Sequence, residues 1–159
     1  MNTYTQTQNS GAEGRREQIT EQLASFCRGE MSAAESYAKA MSHESLASYR
    51  DTFRRVQQSH ESRVLLLTEK IRVLGGTVPT SSGAWGTLVT ALAETASALS
   101  AEAAIAVLEE GEDHGLRDYR ADVKNLDDET QAFMRQRIVP EQIDTHRTIS
   151  ALKHTLAQH

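Results

Sequence analysis

Apolar residues recur three and four apart over four long stretches of the chain, the spacing that lines one face of an α-helix. From about Glu13 to Met41 the stripe is Ile19, Leu23, Phe26, Cys27, Ala33, Ala34, Tyr37 and Met41. Ser42 stands where an N-cap is wanted, with His43 and Glu44 in the first turn that follows. The second stripe is Leu46, Tyr49, Phe53, Val56, His60, Val64, Leu67, Ile71 and Leu74. Gly75-Gly76 ends it, glycine being the usual residue of a left-handed C-terminal turn. Thr77 to Gly83 has loop composition, and a shorter helical segment from Ala84 to about Ala98 carries Trp85, Leu88, Val89 and Leu92. Ser100 then caps a third long helix, Ala101 to about Lys124, with Ile105, Leu108, Glu112, Leu116, Tyr119 and Val123 inward. After a turn at Asn125 and Asp127, a fourth runs from about Asp128 to Thr155, its stripe Phe133, Val139, Ile143, His146, Ile149, Leu152 and Leu156. Pro140 lies inside that helix and lacks a backbone donor, which predicts a kink or break.

The order is helix, tight turn, helix, long connection with a small helix, helix, tight turn, helix. Two hairpins joined by one long crossover is the connectivity of a ferritin-like antiparallel four-helix bundle. The expected domain spans residues 15–158, behind a polar stretch from Met1 to Gly14 that reads as a disordered tail without the apolar region of a signal peptide.

Composition agrees with that picture. Aromatic residues are 5% and prolines number two in 159 residues, which suits long helices better than a sheet. A net charge of −5 without a basic cluster argues against nucleic acid as a partner. No apolar run approaches the ~18 residues that a membrane span needs, so a cytoplasmic protein is expected. Cys27 is the single cysteine, which rules out an internal disulfide and a cysteine-rich zinc module. Gly75-Gly76 lacks the context of a phosphate loop, and no serine stands in a nucleophile elbow.

The chemistry lies where polar residues interrupt the stripes. Glu30, His60, Glu112 and His146 fall near the middle of helices one to four, so they are expected to meet at one level. Glutamate is rarely buried unpaired, and two carboxylates with two imidazoles suit a divalent first-row metal, whose charge offsets the cost of burying them. The competing reading is a metal-free cluster of hydrogen-bonded Glu and His. An internal echo adds two tyrosines: Tyr37 and Tyr119 each stand seven residues after a Gly-Glu pair, two turns along the same face.

The Gly29-Glu30 pair with Tyr37, and Leu74-Gly75-Gly76-Thr77-Val78-Pro79 after the His60 helix, resemble bacterioferritins and rubrerythrins. With Ser81 to Trp85 and Gly111-Glu112-Asp113, the chain looks most like a bacterial family of ferritin-like four-helix-bundle proteins without an assigned activity. In the di-iron members, two helices each give a Glu and two each give Glu-x-x-His. That pattern maps onto Glu30, Glu112, His60 and His146, while Gln57 and Ile143 stand where the bridging carboxylates would be. Gln142 and Glu141 are partial substitutes, and Glu109 offers a further carboxylate, as in rubrerythrin-like helices. The resemblance thus implies a metal set of Glu30, His60, Glu112 and His146 supported by Gln57 and Glu109, holding iron, or manganese or zinc. Two carboxylates balance one divalent ion, so a one-metal or degenerate di-iron site is expected over a full di-iron centre. The expected partners are a metal ion and further copies of the chain. Catalysis is not read from these residues, though bound iron would imply oxidoreductase chemistry on peroxide or oxygen. The alternative function is a non-catalytic structural or stress protein.

Overall fold

The computed structural model describes residues 3–83 and 100–158, an all-α four-helix bundle with no strand among them. Helix α1 (Thr3–Met41) takes in much of the expected tail. From Gly11 onward, Gly11, Ala12 and Glu13 are exposed and the first buried residue is Ile19. A 3-10 turn, Glu44–Tyr49, leads into α2 (Arg50–Val73). Helix α3 is Ala101–Asp122, followed by a 3-10 turn at Val123–Asn125. The fourth rod is α4 (Asp128–Phe133), a π-helical turn Met134–Ile138 and α5 (Val139–Leu156) in unbroken succession. The expected helix at Ala84–Ala98, with Trp85, lies outside the described residues. No helix among those described is long and apolar enough to cross a membrane.

Several local signals act as the sequence predicts. Ser100 caps α3, its hydroxyl accepting from the Ala103 amide, and Asp127 caps α4 by accepting from Thr130. Ser42 does not cap forward. Its hydroxyl donates back to the Lys39 carbonyl, and the chain turns through the 3-10 segment that buries Leu46. Pro140 cannot supply an amide to the preceding turn, and the π-helical turn stands directly before it.

The end of α2 is a Schellman turn: Gly76 N–H donates to the Ile71 carbonyl and Gly75 N–H to that of Arg72, with Gly75 at φ +76°. A Cβ on Gly76 would stand 2.5 Å from Thr20 Cβ, an atom fixed close to the α1 backbone. Gly76→Ala must therefore push the turn off α1. A loss of about 1–3 kcal/mol is expected, read as a lower urea midpoint at unchanged slope.

Contacts between α1 and α2 run antiparallel, from Cys27 beside Thr68 to Tyr37 against Phe53. Those between α3 and the fourth rod do likewise, from Glu109 with Ser150 to Glu112 with Gln142. The end of α2 and the start of α3 fall at opposite ends of the bundle, as a crossover connection requires. The apolar core is in two parts. One gathers Leu23, Cys27, Leu67, Ile71, Val123, Met134 and Ile138; the other gathers Ala40, Leu46, Phe53, Val56, Ile105, Leu108 and Ile149. On every rod buried polar residues lie between these two groups: Glu30; His60 and Arg63; Glu112; Gln142 and Thr145.

Candidate functional site

In this polar layer Glu30, His60 and Glu112 stand at inward positions of their helices, so helical periodicity turns them inward whatever their polarity. His60 is the centre. Its Nδ1 lies 2.7 Å from Glu30 Oε2 and its Nε2 lies 2.9 Å from Glu112 Oε1. The two carboxylates do not share one level. Because α1 and α3 are antiparallel, Glu30 pairs with Tyr119 and Glu112 with Tyr37, and the imidazole spans the offset between them. The tyrosines thus act crosswise: Tyr37 O–H donates to Glu112 Oε1 at 2.7 Å, and Tyr119 O–H donates to Glu30 Oε1. Tyr37 also stacks on the His60 ring, with centroids 5.5 Å apart.

Arg63, one turn after His60, completes the layer with 0% of its surface exposed. Its Nε donates to Glu30 Oε2 at 2.8 Å, Nη1 to Ser59 Oγ at 2.9 Å and Nη2 to Gln142 Oε1 at 3.0 Å. On the other side, Gln142 Nε2 and Thr145 Oγ1 donate to Glu112 Oε2 at 2.9 and 2.8 Å. All four carboxylate oxygens are therefore occupied by protein donors.

The charges set one another. Burial pushes the Glu30 carboxyl up, but the Arg63 and His60 charges, with hydrogen bonds from His60 and Tyr119, outweigh it and hold the group down at about 2. Glu112 is also lowered: burial opposes ionisation, and His60, Tyr37 and Thr145 overcome it. Burial disfavours the His60 imidazolium, yet the flanking Glu112 and Glu30 raise its pKa. Burial, and then the adjacent carboxylates, lift both tyrosines well above their ordinary value, so they stay protonated donors. With the ring charged, two carboxylates face a guanidinium and an imidazolium, and the layer is neutral.

Of the residues singled out from the sequence, Glu30, His60 and Glu112 come together. His146 does not join them: it is half-buried at the edge, its Nε2 2.6 Å from Asp113 Oδ1. Gln57 turns away and donates to the Ala34 carbonyl at 3.4 Å. Glu109 lies outside the layer, accepting from Ser150 at 3.1 Å and pairing with Lys153. Residues 142, 145 and 149 face inward on α5 in place of the expected 143, 146 and 149. The π turn accommodates this register, and the Glu112 carboxylate selects it by drawing in two donors. Arg63 escaped the sequence reading because arginine counts as a surface residue. Its spacing, three after His60 and four before Leu67, was the signal.

A cleft of about 530 Å³ opens between α1 and α3, and Glu30, His60, Tyr119 and Gln142 line part of it. Small residues facing one another, Gly29 and Ala33 against Gly111 and Gly115, leave it room.

The metal implied by the ferritin-like resemblance can be set against this arrangement. A guanidinium has no lone pair to offer and repels a cation, and here it occupies the centre of the donors a cation would use. Among the described residues, no group of three or more Asp, Glu, His or Cys side chains is arranged to hold a metal ion. As they stand, these residues do not fit one.

Residues 18–125 match one protein-family profile, described as a domain of unknown function (DUF2383). The matched segment contains Glu30, His60, Arg63 and Glu112, and stops before the fourth rod. No curated protein and no solved structure matches the chain.

Proposed function

For this chain, which belongs to the DUF2383 family, a helical family of ferritin-like type, we propose a non-catalytic role. It serves as a structural bundle whose centre is a self-neutralising ion network that works without metal. The observation that carries this reading is Arg63, wholly buried and bonded to Glu30 at the place where an ion would otherwise balance the carboxylates. Such a network adds little net stability over apolar packing, and its use is to allow one arrangement of the helices and penalise the rest.

The test is elemental analysis of protein produced with iron, manganese and zinc supplied together, followed by melting with and without a chelator. Less than about 0.1 equivalent of metal is expected, with a melting temperature moved by under about 1 °C, because a ligand that is not bound cannot stabilise the fold. Stoichiometric metal lost together with several degrees of stability would reject the proposal. The α1–α3 cleft supports a second reading, in which the bundle handles iron or manganese that reaches Glu30 and His60 from that side. The same measurement separates the two.

A further inference from the structure

We infer that His60 is a proton-operated latch: charged, its ring ties α1 to α3; uncharged, it releases Glu30 and accepts from Arg63 instead. The inference rests on the metal-free reading above. Two partners compete for one ring nitrogen. His60 Nδ1 lies 2.7 Å from Glu30 Oε2 and 2.6 Å from Arg63 Nη2. A carboxylate only accepts and a guanidinium only donates, so Nδ1 satisfies the first with its proton and the second without it. Both bonds cannot form at once. In the charged ring Nδ1–H donates to Glu30, Nε2–H donates to Glu112 at 2.9 Å, and Arg63 Nη2 donates to Gln142 Oε1 at 3.0 Å.

The surroundings decide which proton leaves as pH rises. Nε2 faces Glu112 Oε1, so losing its proton would set two acceptors against each other. A bare Nδ1 has the Arg63 N–H beside it. Glu30 can spare the bond, since Arg63 Nε and the Tyr119 hydroxyl still donate to it. The proton therefore leaves Nδ1. The lone pairs of Nδ1 and Glu30 Oε2 then repel, and Glu30 is the side that yields. The ring is held by Glu112 and stacked on Tyr37, whereas Glu30 lines the open α1–α3 cleft. His60 lines the same cleft, which gives the proton a way out. The titratable and charged groups around the ring are Glu30 and Tyr37 on α1, Arg63 on α2, and Glu112 and Tyr119 on α3. The fourth rod adds only the neutral Gln142 and Thr145, and Glu110, His114 and Asp118 line the cleft. The tyrosines stay protonated and the carboxylates ionised, so the ring alone changes charge and the layer passes from neutral to net negative.

Full-length wild type with ¹⁵N-labelled histidines is titrated from about pH 5 to about pH 10 by NMR. The His60 signals are those that survive replacement of each other histidine by Gln in turn. Both ring nitrogens are expected to carry protons at the acid end and Nε2 alone at the alkaline end, with the change centred above pH 6.5. Amide exchange at residues 27–33, corrected for the intrinsic effect of pH, should speed up about tenfold across the same step, while residues 56–67 change less. A neutral ring with its proton on Nδ1 overturns the latch, as does a ring that keeps both protons throughout or α1 exchange that ignores the step. Ring signals moved by a chelator would reject the metal-free function and the latch with it. The wrong tautomer in protein indifferent to chelator rejects the latch alone.

Discussion

Arg63→Met should lower the stability of the bundle by about 3–5 kcal/mol, the usual result of removing one member of a buried charge network and leaving its partner uncompensated. Methionine matches much of the volume of arginine, so lost packing contributes little. What remains is Glu30 Oε2 without its guanidinium, Ser59 Oγ without a donor and Gln142 Oε1 open. For a chain of this size the melting temperature should fall by roughly 10 °C or more. Replacing the whole layer with apolar residues of similar size, Glu30, His60, Arg63 and Glu112 together with Tyr37, Tyr119, Gln142 and Thr145 that donate to it, should behave oppositely, leaving stability unchanged or raising it by about 1–4 kcal/mol. Urea unfolding of both proteins decides the matter. An Arg63→Met midpoint close to that of wild type would mean that the layer is not coupled in the way its geometry implies.

The second large effect is that of pH. Glu30 ionises near 4.5 in an unfolded chain and at about 2 in the bundle. Its contribution is therefore complete above pH 4.5 and disappears as pH falls toward 2, a change on the order of 3 kcal/mol. Glu112, lowered in the same direction, adds to this acid limb. His60 is raised from 6.5, so its contribution is complete below 6.5 and is lost as pH climbs through the folded value. The layer is thus at its best between about pH 4.5 and 6.5, a window set by the two ordinary values. Stability measured from pH 2 to pH 9 should fall on both sides, and Glu30→Gln should flatten the acid side. An acid limb that persists unchanged in Glu30→Gln would place its origin in other carboxylates.

Much of this architecture is legible in the residue pattern, because long amphipathic helices write a period that survives a misassigned residue or two. The four rods, the glycine end of α2, the Ser100 cap and the inward placement of Glu30, His60 and Glu112 all follow from it. The tyrosines are legible as neighbours of the layer. Their crosswise pairing is not, since it depends on the antiparallel offset of α1 against α3, which no single helix encodes. The fourth rod defeats the reading for a specific reason. Beyond the π turn the buried positions are Gln142, Thr145 and Ile149, so two polar residues take the inward places that Ile143 and His146, one apolar and one an expected metal ligand, claimed on side-chain type. Arg63 illustrates the opposite failure. The stripe took Val64 at this turn because arginine's identity argued for solvent, and only the need of two buried carboxylates for a cation could have moved the inward place to Arg63.

The divided ownership of the central charges bears on how copies of this chain can combine. The α1–α2 hairpin carries Glu30, His60 and Arg63, which sum to +1 with the ring charged, while the α3–α5 hairpin carries Glu112, at −1. Two hairpins of the first kind packed face to face would trap surplus positive charge, and two of the second kind surplus negative charge. Each half is a lock that only the other half opens, so any exchange of hairpins between molecules must rebuild the same unlike pair.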